Sequence, residues 1–93
     1  MARRFENKVV WITGGGSGIG RALALAFANE GASVAVSGRR EERLHEVVQE
    51  LQARGAKALA VRCDVTDEAS VAEAVQKVVR SWGGIDVAHI EFW

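Results

Sequence analysis

Short apolar runs alternate along this chain with longer amphipathic stretches. The short runs are rich in valine, isoleucine and alanine. They predict three strands, at Val9 to Thr13, Ser33 to Ser37 and Ala58 to Val61, and the beginning of a fourth strand at Ile85 to Val87. Between them, apolar residues at helical spacing predict three helices, which stop at Gly31, Gly55 and Gly83. Thr66 is expected to cap the third helix. The order βαβαβαβ with short loops predicts an α/β fold with a parallel sheet.

Composition narrows the range of partners. Ninety-three residues form at most one small domain, and a hydrophobic content of 48% is ordinary for a globular one. Twelve basic residues balance twelve acidic ones, so nothing favours a nucleic-acid or membrane-surface partner. No apolar run approaches the roughly 20 residues of a bilayer span, and no apolar signal core follows Met1 to Arg4. We therefore expect a cytoplasmic protein, with Cys63 as a buried residue rather than a reactive thiol.

The candidate chemistry lies in the loop between the first strand and the first helix, which reads Thr13-Gly14-Gly15-Gly16-Ser17-Gly18-Ile19-Gly20. A bound pyrophosphate needs backbone N–H donors and the positive end of a helix, and glycines leave the space that a Cβ would fill. The spacing G-x-G-x-x-G is absent, whereas T-G-x-x-x-G-x-G fits, with Gly14, Gly18 and Gly20 in the fixed places. The strand–loop–helix context favours a dinucleotide site. The alternative is a tight turn that binds nothing.

Three motifs in this order resemble the N-terminal part of the short-chain dehydrogenase/reductase family: the glycine loop, Cys63 to Asp67 and Gly84 to Val87. The resemblance implies a partial Rossmann-type three-layer fold with strand order 3-2-1-4, two helices on one face and the third on the other. It implies that the pyrophosphate of a nicotinamide dinucleotide lies on Gly14, Gly16, Ser17, Gly18, Ile19 and Gly20. It also implies that Asp64 accepts from the adenine amino group and that Val65 lies against the ring. The alternative for Asp64 is a loop aspartate that holds backbone amides.

The residues at the end of the second strand indicate whether the site prefers NAD or NADP. An acidic residue there would bind the ribose 2′-hydroxyl of NAD, whereas an arginine accommodates the 2′-phosphate of NADP. The sequence reads Ser37-Gly38-Arg39-Arg40, and no carboxylate appears before Glu41. We predict NADP, with NAD the less favoured cofactor, Arg39 as the main phosphate ligand, and Ser37 and Arg40 as helpers. The alternative is a solvated charge run, Arg39 to Arg43, that only starts a helix.

The sequence departs from the family after Val87, where the N-N-A-G segment is replaced by Ala88 to Trp93. The family's catalytic Y-x-x-x-K motif is missing too, because the chain contains no tyrosine. We therefore divide the sequence into a cofactor-binding half-domain, residues 1–87, and a divergent tail, residues 88–93. No residue is predicted to be catalytic and none to bind a metal.

Two functions are compatible with these patterns. The first is an NADP(H)-binding segment of an oxidoreductase, truncated before the catalytic residues and inactive alone. The second is a non-enzymatic fragment or interaction module that binds no cofactor usefully, and an enzyme completed by another chain is a third, less favoured interpretation. The fourth strand is expected to be an exposed edge through which the chain self-associates, with Phe92 and Trp93 folding over part of the apolar surface.

Overall fold

A computed structural model describes residues 4–90 as one parallel sheet with helices on both faces. The strands are β1 (Val9–Thr13), β2 (Ser33–Gly38), β3 (Ala58–Arg62) and β4 (Val87–His89), and the helices are α1 (Gly18–Asn29), α2 (Glu41–Ala53) and α3 (Glu68–Trp82). The strand order is β3-β2-β1-β4, and every pair is parallel, which confirms the predicted fold. The chain runs outward from β1 to β3 and returns to the other side of β1 as β4. At such a reversal, ligands bind outside the carboxyl ends of the strands.

The two faces of the sheet are buried by different helices, as expected. Because successive strand side chains point to opposite faces, each strand contributes to both layers. The face covered by α1 and α2 buries Val10, Ile12, Val34 and Val36. The face covered by α3 buries Val9, Trp11, Ala35 and Val61. Within the part of the chain that is described, no helix is long and apolar enough to cross a bilayer.

The start of α3 differs by one residue from the prediction. Asp67, not Thr66, is the N-cap, and its side chain accepts a hydrogen bond from the backbone N–H of Ala69 at 3.0 Å. The Thr66 hydroxyl instead donates to Asp64 at 2.7 Å. The predicted cap was wrong because a carboxylate one residue later accepts the orphan amide, while the threonine hydroxyl is already used by the preceding loop.

The fourth strand also begins later than predicted. Ile85 and Asp86 precede β4, and the ladder pairs Val10 with Val87 and Ile12 with His89. Asp86 instead holds the start of β1, because its carboxylate accepts from Val9 N–H at 2.7 Å and its own N–H donates to the Val9 carbonyl at 2.8 Å. The residues expected to fold over the apolar surface, Phe92 and Trp93, lie outside the described part of the chain.

Candidate functional site

The glycine-rich loop forms a closed turn between β1 and α1. Gly14 has a φ of 68°, a left-handed conformation that favours glycine. The Ser17 hydroxyl donates to the Gly14 carbonyl at 2.6 Å and accepts from the Gly20 N–H at 3.3 Å, so Ser17 caps the helix. Within residues 4–90, the N–H groups of Gly16, Gly18 and Ile19 find no acceptor. The turn therefore presents unpaired donors at the positive end of α1, as an anion requires.

The glycines of this loop serve two different purposes. A Cβ added at Gly20 would lie 2.0 Å from the Gly14 carbonyl oxygen, and one at Gly15 would lie 2.6 Å from Cβ of Val36. Packing therefore excludes any larger residue at either position. A Cβ at Gly18 would meet nothing within 4 Å, and its φ is not positive. The packing of the described residues therefore does not require a glycine at residue 18.

A cleft of about 630 Å³ opens beside the glycine loop, at the carboxyl ends of β1, β2 and β3. It brings together seven of the residues predicted for the site, although they come from three separate connections. These are Gly14, Gly16, Ser17, Arg39, Arg40, Asp64 and Val65. The cleft is also lined by residues that sequence reasoning did not assign to the site, namely Gly38, Arg43, Leu44, Cys63 and Thr66.

Four predicted site residues do not line this cleft. Gly18 and Ile19 lie exposed at the start of α1, and the Ile19 side chain is 64% exposed. Gly20 is buried beneath Gly14. Ser37 is completely buried, and its hydroxyl accepts a hydrogen bond from the Trp11 indole at 2.8 Å. Ser37 therefore braces β2 against β1, and its side chain does not reach the cleft, contrary to the helper role expected from its place in the sequence.

Asp64 takes the loop-holding role that was considered for it, and one of its carboxylate oxygens is not used for that role. Its Oδ1 accepts from the Thr66 N–H at 3.0 Å and from the Thr66 hydroxyl, so it holds the loop ahead of α3. These hydrogen bonds hold the pKa of the Asp64 carboxyl below its ordinary value, with smaller help from the charges of Arg39 and Arg62. Among the described residues nothing donates to Oδ2. The carboxylate thus stays ionised at neutral pH and retains an acceptor at the edge of the cleft.

The charges along the cleft are strongly asymmetric. Arg39, Arg40 and Arg43 line it, and within residues 4–90 none of the three has a carboxylate oxygen within 4.0 Å. Asp64 is the single acidic residue among the lining residues described. By contrast, Arg21 donates to Glu50 at 2.9 Å and joins α1 to α2. The cleft therefore presents three guanidinium groups that form no direct ion pair among the described residues, an arrangement that suits phosphate.

Cys63 lies at the inner wall of the cleft, and its thiol is almost completely buried, as expected. It is 2% exposed, and burial raises the pKa of its thiol, although a hydrogen bond with Ser70 acts in the opposite direction. A protonated thiol is a poor nucleophile, so Cys63 contributes packing. In the described part of the chain, no three His, Cys, Asp or Glu side chains are grouped closely enough to hold a metal ion.

Comparison with known proteins gives consistent matches. The sequence model of the short chain dehydrogenase family matches residues 8–89. A 2,5-dichloro-2,5-cyclohexadiene-1,4-diol dehydrogenase of Sphingobium indicum is 47% identical over 85 residues, which are 91% of this chain and 34% of that protein. A 7alpha-hydroxysteroid dehydrogenase of Escherichia coli is 38% identical over 84 residues, 90% of this chain and 33% of that one. The chain thus spans about a third of the length of these curated relatives.

Solved structures give the same result for the fold. A short-chain type dehydrogenase/reductase from Mycobacterium marinum superimposes with a TM-score of 0.89 at 40% identity, over 94% of this chain and 35% of that one. An NAD+-bound xylitol dehydrogenase superimposes with a TM-score of 0.89 at 38% identity, over 91% of this chain and 33% of that one.

Proposed function

This chain belongs to the short-chain dehydrogenase family, and we propose that it is the NADP(H)-binding segment of an oxidoreductase of that family. The observation that carries the proposal is the set of arginines along the cleft. NAD requires an acceptor for its ribose 2′-hydroxyl, whereas NADP presents a phosphate to the same position. Glu41 and Glu42, the acids that follow Arg40, begin α2 and do not line the cleft. The positive charge that the cleft carries at the end of β2 is therefore suited to the 2′-phosphate of NADP.

The remaining contacts of the cofactor would use groups that have no hydrogen-bond partner within residues 4–90. The N–H groups of Gly16, Gly18 and Ile19, with the dipole of α1, would hold the pyrophosphate. Asp64 Oδ2 would accept from the adenine amino group, with Val65 against the ring. Bound as NADPH, the cofactor would donate a hydride to a substrate that is reduced, and bound as NADP+ it would accept a hydride from a substrate that is oxidised. These residues would bind and orient the cofactor, and we assign none of them a proton transfer at a substrate.

Cofactor titration tests this proposal directly. We expect calorimetry to show at least about a tenfold preference for NADPH over NADH, because a hydrogen bond to a charged group contributes roughly 1.5–3 kcal/mol. Arg39→Ala should remove most of that preference. Arg54→Ala, which removes an arginine at the other end of α2, is the matched control and should leave it unchanged. Equal affinities would contradict the choice of NADP, and failure to bind either cofactor would contradict the whole proposal.

We further propose that the 93 residues transfer no hydride by themselves. A positioned acid–base group typically contributes 10²–10⁴-fold to such a reaction, and the family's tyrosine is absent from this sequence. Absorbance of the reduced nicotinamide should stay at the no-protein rate with a panel of alcohols and ketones. Turnover that disappears in Gly14→Val would contradict the proposal and would indicate another proton donor.

A second candidate role, self-association, is favoured by the free edge of the sheet. In the described structure β4 pairs with β1 on one side only, and the Ala88 side chain is exposed. An unpaired edge can add a strand from another copy. We expect dimers or larger species in sedimentation experiments, and Ala88→Lys should reduce them. A chain that remains monomeric at high concentration would contradict this role.

A further inference from the structure

Arg43 was not predicted to be a site residue, and from the sequence it belonged only to a solvated run of charges. Arg43 is the third residue of α2, and it lines the cleft from the side of the glycine loop. A Cβ added at Gly16 would lie 3.0 Å from the Arg43 Cβ and 3.8 Å from its Cδ. The stem of Arg43 therefore packs along the loop expected to bind the pyrophosphate. This contact between α2 and the loop is not visible from the spacing of the residues along the chain.

The position of Arg43 is unfavourable for its own helix. It lies in the first turn of α2, where the helix dipole favours acidic side chains and where a glutamate often completes a capping box. The N-cap residue is Arg40, which makes no side-chain capping hydrogen bond. In the described structure no carboxylate compensates the Arg43 charge. A residue that opposes its local structure without a partner in the fold is most readily explained by function.

We propose that Arg43 is a second specificity-determining residue, which binds the 2′-phosphate of NADP(H) together with Arg39. The inference rests on the proposed function and extends it to a residue of α2. A phosphate monoester carries close to two negative charges at neutral pH and offers three acceptor oxygens. It can therefore pair with more than one guanidinium, and each pair gains from charge and from geometry. Because α2 packs on the glycine loop, its Arg43 contributes to the selection between NADP(H) and NAD(H).

The test uses ligands that carry only the adenosine half of the cofactor. Adenosine 2′,5′-bisphosphate and 5′-AMP differ in the single phosphate at issue, and calorimetry measures both with the complete 93-residue chain. Arg43→Gln should weaken the bisphosphate about tenfold or more and change AMP less than about twofold. Arg43→Glu should remove discrimination altogether, while its thermal midpoint stays equal or rises because the helix N-terminus is improved. Arg54→Gln is the control and should change neither affinity.

The outcomes separate this inference from the proposal on which it rests. Equal weakening of both ligands by Arg43→Gln, or no weakening of either, would overturn the role of Arg43. If Arg39→Ala alone removes the discrimination while Arg43→Gln preserves it, the proposed function stands and only this inference fails. If the unmodified chain does not distinguish the two ligands, the choice of NADP fails and this inference fails with it.

Discussion

Replacing Gly18 and Gly20 separately by alanine should separate cofactor binding from folding. At Gly20 the new methyl would lie 2.0 Å from the Gly14 carbonyl oxygen and 2.6 Å from its carbon. Backbone must move to relieve that contact, and overpacking of this kind costs typically 1–3 kcal/mol. For a domain of this size each kcal/mol lowers the melting temperature by roughly 4–8 °C. We therefore expect Gly20→Ala to melt about 10 °C or more below the unmodified chain.

Gly18→Ala should have the opposite profile. The added methyl meets nothing within 4 Å and the backbone conformation is not left-handed. Alanine restricts the unfolded chain more than glycine does, so stability should be unchanged or higher by at most about 1 kcal/mol. The methyl would nevertheless stand among the unpaired N–H groups at the start of α1. We expect NADPH and NADH to bind at least about tenfold more weakly, because the pyrophosphate could no longer approach those donors closely.

Two measurements on each variant decide the matter. Thermal unfolding followed by circular dichroism gives stability, and calorimetry well below the melting temperature gives affinity for both cofactors. If Gly18→Ala binds as tightly as the unmodified chain, residue 18 is only part of a turn. If Gly20→Ala keeps its full stability, the packing argument for the loop is wrong. Either result would refute the distinction between a glycine required by the fold and one required by the ligand.

Three further predictions concern the walls of the site. Ser37→Ala leaves the buried indole N–H of Trp11 without its acceptor, so urea denaturation should show a loss of roughly 1–3 kcal/mol, while an unchanged NADPH/NADH ratio would confirm that Ser37 is not a ligand. Gly38→Asp has room for its side chain, and its carboxylate should shift preference towards NADH by about tenfold in competitive titration; a retained NADPH preference would refute this. The pKa of Asp64 is lowered in the folded state, so its stabilisation is complete above the ordinary value of 3.8 and is lost as pH falls through the folded pKa. Between pH 5 and 2, the melting temperature of Asp64→Asn should therefore fall less steeply with pH than that of the unmodified chain. Identical slopes would show that the hydrogen bonds of Asp64 contribute nothing to stability.

Several features of the site could be predicted from the sequence because they are local. The glycine loop lies between a buried strand and a helix, and its position needed no knowledge of other parts of the chain. The same holds for Arg39, which directly follows β2, and for Asp64, which follows β3. Because the carboxyl ends of parallel strands meet at one edge of a sheet, these residues lie close together, and Gly14, Arg39 and Asp64 line the cleft.

The sequence did not predict the position of a side chain correctly where residues distant in sequence determine it. Ser37 lies in the same strand end as the predicted ligands, but the alternation of the strand turns its side chain towards Trp11 on the α3 face. Thr66 was a suitable cap by residue type, yet its hydroxyl is used by Asp64. Arg43 looked like one charge among several on a helix, because only the packing of α2 on Gly16 places it in the cleft.

The amino-acid sequence specifies the periodicity of the strands and helices, their order and the chemistry available at each strand end. These depend on interactions within a few residues and on the two periods of secondary structure. Which polar side chains face the cleft, and which glycines packing requires, depends on contacts between parts of the chain that are distant in sequence. Gly18 and Gly20 are two positions apart in one motif, yet a methyl group would meet open space at the first and a backbone carbonyl at the second. That difference depends on how the loop folds back over α1, a through-space distance that the spacing of the motif does not contain.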